Sequence, residues 1–256
     1  MSGGSVRIER PSKHVRRAIL DHPPANTLGS GARRDLLAFL DEAQADLEVR
    51  AVVLTGEGRI FCAGADLREE RALTDSDAPD FFGSFGRILA GITGHRIPVI
   101  AAVNGPCLGG GLELALSCDL RIASMTATFT ASGVNVGLVA SCHSLVRCIG
   151  SGRAAHALLS GSPVDAQTAE RWGLVSALAE PARLEETSLD LAERIASRAP
   201  LAVEATKKFA RQAPDLDASE AFVRQGRLAL ELARTADHEE ALAAFFEKRP
   251  GKYVRG

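Results

Sequence analysis

Val99-Ile100-Ala101-Ala102-Val103-Asn104-Gly105, followed closely by Gly109-Gly110-Gly111-Leu112-Glu113-Leu114-Ala115, decides how the rest of the chain is read. Five apolar residues in a row, ended by Asn-Gly, predict a short strand buried on both faces. The apolar run after the three glycines predicts a helix that starts among them. The same grammar occurs earlier: Val52-Val53-Leu54-Thr55-Gly56, then Phe61-Cys62-Ala63-Gly64-Ala65-Asp66-Leu67. Two buried strands that exit through glycine turns into helices point to an α/β domain.

Working outward, residues 6–10 and 14–20 read as paired strands, broken by Asp21-His22-Pro23-Pro24. Leu36, Leu37, Leu40, Ala43 and Leu47 recur at helical spacing, which predicts a helix over 31–46. Strands are expected at 51–55, 98–103, 119–123, 127–130 and 174–178, and a helix at 79–93. From about Arg183 the strand signals stop, and helices are expected at 183–198, 200–212, 217–234 and 237–248, punctuated by Pro200 and Pro214. The division implied is an α/β core over 1–195 and a helical region over 196–256.

The composition fits a globular chain with an ample core: 256 residues, 46% hydrophobic and 24% charged. A net charge of -2 argues against a dedicated nucleic-acid binder. No apolar run is long enough to span a membrane. Met1-Ser2-Gly3-Gly4-Ser5 lacks the pattern of a signal peptide. Five cysteines (Cys62, Cys107, Cys118, Cys142 and Cys148) with no C-x-x-C spacing read as reduced thiols, mostly buried, in a cytoplasmic protein. Phosphate-loop, dinucleotide, nucleophile-elbow and H-E-x-x-H patterns are absent, and the six histidines are scattered, so no metal site is expected. Cys142-His143 is a weak nucleophile pair, because sequence neighbours point apart.

The two glycine-marked exits can do chemistry. Small residues leave backbone N–H groups uncovered, and a helix beginning at 109–111 adds its unpaired amides and positive end. Two such N–H groups converging on one oxygen form an oxyanion hole. Glu113, three residues after Gly110, falls on the same helix face and would stand beside that hole as a proton-transfer group. The structural alternative is that the glycines permit close packing and Glu113 is a first-turn acid favoured by the helix dipole. On the glycines alone, that alternative is the simpler one.

Taken together, Phe61-Cys62-Ala63-Gly64-Ala65-Asp66-Leu67, Gly109-Gly110-Gly111-Leu112-Glu113-Leu114-Ala115 and Cys118-Asp119 resemble the crotonase superfamily, the enoyl-CoA hydratase/isomerase family. Gly173-Leu174-Val175 and Phe245-Phe246-Glu247-Lys248-Arg249-Pro250 extend the resemblance over almost the whole chain. It implies a spiral of ββα units with a C-terminal helical trimerisation region, in a homotrimer or dimer of trimers. It also implies an acyl-CoA thioester substrate and a stabilised enolate, with no cofactor beyond the coenzyme A of the substrate. By match to the motifs, the amides of Ala65 and Gly110 form the oxyanion hole. Ala63, Asp66, Leu67 and Gly109 lie along the substrate path. Phe245 and Lys248 match positions that reach a neighbouring subunit's CoA; a solvated helix-end cation is the alternative for Lys248.

The resemblance also marks a departure. Hydratases of this family use a second glutamate a few residues after the phenylalanine matched by Phe129, and here Gly133 occupies its place. The following stretch, Val139-Ala140-Ser141-Cys142-His143-Ser144, also departs from the family's glycine-rich pattern. The pattern Ser132-Gly133-Val134-Asn135-Val136-Gly137-Leu138 looks like that of a divergent branch, similar to enoyl-CoA hydratase domain-containing protein 3. Glu113 could act alone, in hydration through a water network or in a double-bond shift. His143 or Ser132 could substitute for the missing carboxylate. A hydrolase using the same hole, with Asn135 orienting water, and a non-catalytic acyl-CoA binder complete the alternatives. Glu113 beside both oxyanion segments favours an enzyme, since a pure binder has no chemical need of it. Acyl length is expected to depend on residues 68–92.

Overall fold

The computed structural model describes residues 5–256. The N-terminal signal reading rests mainly on residues 1–4, which lie outside the described residues. The chain opens with β1 (Val6–Glu9), β2 (Val15–Leu20), α1 (Ser30–Ala45) and β3 (Ala51–Gly56). It continues through α2 (Leu67–Arg71), α3 (Ala78–Thr93), β4 (Val99–Val103), β5 (Cys107–Leu108) and α4 (Gly110–Ser117). Then come β6 (Leu120–Ser124), β7 (Thr128–Thr130), α5 (Cys142–Ile149), α6 (Ser151–Ser160), β8 (Val164–Asp165), α7 (Ala166–Trp172) and β9 (Ala177–Ala179). Four helices close the chain: α8 (Leu184–Ala196), α9 (Pro200–Gln212), α10 (Ala218–Leu232) and α11 (Ala236–Glu247).

The main sheet runs β1-β2-β3-β4-β6-β9. Only β1 pairs antiparallel; the others are parallel, with Val53 opposite Ile100 and Ala102 opposite Ile122. Every residue of β3 and β4 is buried, because both faces are covered. Alternate residues serve different cores. Val52, Leu54, Val99 and Ala101 pack under α1 and α3 with Leu36, Leu40, Ile88 and Ile92. Ala51, Val53, Ile100 and Ala102 face Leu184, Ala192 and Ala196 of α8. The small second sheet, β5-β7-β8, sits beside the start of α4.

The strand expected at 174–178 is displaced to Ala177–Ala179. Gly173 ends α7 in the left-handed region (φ 82), the Leu174 N–H returns to the Ala169 carbonyl at 2.8 Å, and Arg121 Nε donates to the Leu174 carbonyl at 2.6 Å. Leu174 and Val175 therefore fill the core before pairing begins. Helices α5, α6 and α7 are short and expose much of their surface.

Helix α9 is fastened by a charge cluster in which Lys207 is buried and Asp119 and Arg211 are partly buried. Asp119 meets Lys207 at 2.8 Å and Arg211 at 3.0 Å, and its Oδ2 also accepts the Val99 N–H at 2.8 Å. Lys207 Nζ donates to the carbonyls of Ile92 (3.2 Å) and Ile97 (2.8 Å). Burial pulls the Lys207 ammonium below its ordinary pKa, with Asp119 opposing that shift. Asp119→Asn leaves Lys207 without its carboxylate and is expected to cost about 3–5 kcal/mol. The urea midpoint measures it; a change below about 0.5 kcal/mol, the size of an ordinary surface substitution, would contradict the cluster's role.

Candidate active site

The segments after β3 and before α4 meet backbone to backbone. Cys62 and Cys107 form an isolated parallel bridge, and the Leu108 N–H donates to the Cys62 carbonyl at 3.0 Å. Gly64 has φ +88, and a Cβ there would lie 2.6 Å from the Gly110 nitrogen. A Cβ on Gly110 would lie 3.4 Å from the Ala65 nitrogen. Only residues without side chains bring these peptides so close. Gly109, with φ 48, turns the chain into α4; its N–H donates to the Thr130 carbonyl and its carbonyl accepts from Glu113. Among the described residues, the Ala65 and Gly110 N–H groups have no backbone hydrogen-bond partner.

The Gly64–Ala65 peptide is held from behind. Its carbonyl accepts the Leu28 N–H at 2.7 Å, and the Leu28 carbonyl accepts from Arg33 at 2.7 Å. Arg33 is buried; it pairs with Glu69 at 3.2 Å and lies 4.6 and 5.0 Å from the ring centres of Phe81 and Phe85. Phe85 in turn lies over Gly110, 3.2 Å from where a Cβ would stand. Burial pushes the Cys62 thiol up to about 12, so this cysteine below the loop is a packing group, not a nucleophile.

A cavity of about 290 Å³ opens at this junction. Ala63, Ala65, Leu67, Gly109, Gly110, Glu113, Ser132 and Gly133 all line it, so eight of the eleven site residues expected from sequence converge. Half-buried Glu113 accepts the Ser141 N–H at 2.7 Å through Oε1. Gly133 leaves its part of the wall bare, and a side chain there would meet the Leu138 carbonyl at 2.8 Å and Ala140 at 3.2 Å.

Other expectations change. Asp66 does not line the cavity; its carboxylate caps α2 by accepting the N–H groups of Arg68 and Glu69. His143 is exposed and lines a separate groove of about 980 Å³ with Leu116 and Asp119, away from the cavity of Glu113. That groove is larger, but the converging amides and Glu113 belong to the smaller cavity. Asn135 is engaged elsewhere, donating to the Gly161 carbonyl at 3.0 Å. Cys142 is exposed and outside the cavity. Phe245 and Lys248 stand at the end of α11 and do not line the cavity within one chain.

Within residues 68–92, expected to govern acyl length, Glu70, Phe81, Phe82, Phe85, Gly86 and Leu89 line the cavity; the loop 138–140 as wall and Ser141 as the partner of Glu113 were not expected from sequence. The Phe82-Gly86-Leu89 spacing of one helix face carried part of that signal. Ser141 had none, because it depends on a turn at φ 63.

The enoyl-CoA hydratase/isomerase family profile matches residues 12–255. The (E)-benzylidenesuccinyl-CoA hydratase of Thauera aromatica is 37% identical over 243 residues, 93% of this chain and 94% of that protein. The short-chain-enoyl-CoA hydratase of Clostridium acetobutylicum is 34% identical, covering 97% of each. The crystal structure of an enoyl-CoA hydratase from Bacillus anthracis superposes with a TM-score of 0.95 at 31% identity, over 98% of this chain and all of that one. A spiral α/β protein that presents two free amides and a carboxylate to one cavity thus finds its class. The chain belongs to the enoyl-CoA hydratase/isomerase family and has the crotonase fold.

Ser141 pairs a left-handed backbone with a buried hydroxyl that has no hydrogen-bond partner among the described residues. Ser141→Gly keeps the N–H on Glu113 and removes both costs, so it is expected to raise stability by about 1 kcal/mol in urea denaturation. A loss of stability would mean that the hydroxyl has a favourable role.

Proposed function

We propose that this enzyme binds an acyl-CoA with its thioester oxygen between the Ala65 and Gly110 amides, and that Glu113 moves a proton beside the resulting enolate. The observation that carries this is the convergence of those two amides and Glu113 on one cavity. As charge builds on the thioester oxygen, fixed N–H donors stabilise it without reorganising, an effect worth about 3–4 kcal/mol per donor. Glu113 is anchored by Ser141, so its second oxygen is left to face the substrate. Ala63, Leu67, Gly109, Ser132 and Gly133 supply small or apolar contacts along the chain.

A second reading follows from Gly133. A single carboxylate can shift a double bond by taking a proton from one carbon and returning it to another. The 2.8 Å approach to the Leu138 carbonyl favours this over a glutamate lost by simple substitution, because the loop occupies the room a side chain would need. Hydrolysis and non-catalytic acyl-CoA binding have no comparable support.

The proposed division is a CoA-binding core over 1–195 and an oligomerisation region over 196–256. Phe222, Phe245 and Phe246 are 74%, 76% and 77% exposed, apolar area that a homotrimer or dimer of trimers would cover. In such an assembly Phe245 and Lys248 would meet a neighbour's CoA, and Asp66 would act through the helix it caps. Five unpaired cysteines support a cytoplasmic setting. No described helix is long and apolar enough to cross a membrane. Coenzyme A, as part of the substrate, is the one carrier the reading requires.

Glu113→Gln should lower turnover of enoyl-CoA thioesters by about 10²–10⁴. Equal rates would remove Glu113 from the reaction. Gly133→Glu should not raise hydration and should lose about 1–3 kcal/mol of stability from overpacking. Sedimentation should give three or six times 27.0 kDa. Paired Phe245→Asp and Phe246→Asp changes should dissociate the assembly; an unchanged mass would place the interface elsewhere.

A further inference from the structure

Glu70 lines the same cavity as Glu113, and among the described residues these are its only two carboxylates. Glu70 lies on α2, three residues after Leu67, and that spacing puts both on the helix face that forms the wall. Its neighbour Glu69 serves the opposite side, where it meets Arg33 and the Ser30 N–H. Glu70 itself is half-buried and has no ion-pair or side-chain hydrogen-bond partner among the described residues. The helix that carries it begins two residues after Ala65, held by the Asp66 cap at 2.9 Å to the Arg68 N–H. Glu70 is therefore built on the same short frame as one of the two oxyanion donors.

We propose that Glu70 is the second proton-transfer residue, supplied from α2 in place of a carboxylate at position 133. This rests on the reading of Glu113 and the two amides given above. Glu113 is fixed by the Ser141 N–H and takes the water proton; Glu70, with no side-chain partner among the described residues, delivers the proton to C2. In hydration of an α,β-unsaturated thioester, the water oxygen bonds C3 as Glu113 takes a water proton. The C2–C3 π pair moves into the enolate, whose oxygen is held by Ala65 and Gly110. C2 then takes the proton of Glu70 as the thioester carbonyl re-forms. The product gains one H and one OH, and the proton left on Glu113 returns to Glu70 through solvent.

The test compares full-length wild type, Glu70→Gln, Glu70→Asp and Glu113→Gln on crotonyl-CoA and longer trans-2-enoyl-CoAs, with thermal midpoints as a check on folding. Glu70→Gln should lower kcat about 100-fold with KM changed less than about threefold. Glu70→Asp, which keeps the carboxyl group, should recover about tenfold of the loss. A Glu70→Gln enzyme with wild-type kcat, or one changed only in KM, would overturn the assignment. Loss of activity in Glu113→Gln alone overturns it while leaving the functional reading in place. A wild type that hydrates none of these thioesters fails that reading and carries this assignment with it.

Discussion

Two stretches of backbone must touch, and most of the structure follows from that contact. A Cβ at Gly64 would come within 2.6 Å of the Gly110 nitrogen, and one at Gly111 within 2.2 Å of the Cys62 carbonyl. Such an approach is stable only if both segments leave neighbouring strands in register. Parallel β3 and β4 provide this, with Val52 opposite Val99 and Leu54 opposite Ala101. Burial of both faces of those strands then requires α1 and α3 on one side and α8 on the other.

The same contact explains a costly feature. A buried guanidinium is expensive unless it is fully engaged, and Arg33 retains one unpartnered Nε. Its other groups join α1 to the Leu28 carbonyl, to Glu69 of α2 and to two rings of α3. Through Leu28 it backs the peptide that carries the Ala65 N–H, and through Phe85 it backs the wall over Gly110. Three helices and both amides are thereby referred to one side chain. Its contribution is geometric more than energetic.

How much of this was legible depends on whether the signal was local. Val52–Val53–Leu54 and Val99–Ile100 announce buried strands because continuous apolar runs have few other uses, and the glycine exits name the site because backbone approach demands them. Glu113 followed from a three-residue offset within a helix. By contrast, Ser141 reaches Glu113 across 28 residues through a turn conformation that its residue type does not favour. Glu70 sits in a helix of five residues, too short to show periodicity. His143 looked useful by chemistry alone, and the facing of α5 turns it toward another groove. Residues 174–175 read as strand because they are apolar, but the cap of α7 commits them to the core first.

Gly133 takes its meaning from the loop that follows. Leu138 and Ala140 stand where a longer side chain would go, so the carboxylates of this cavity come from helices α2 and α4 and none from the strand end. The central claim is that the Ala65 and Gly110 amides receive the thioester oxygen. A crystal structure of the protein with a saturated short-chain acyl-CoA tests it most directly. That oxygen is expected at about 2.7–3.1 Å from both nitrogens, with C2 facing Glu113. A thioester bound in the larger groove beside His143, or lying in the cavity with either amide unused, would contradict it.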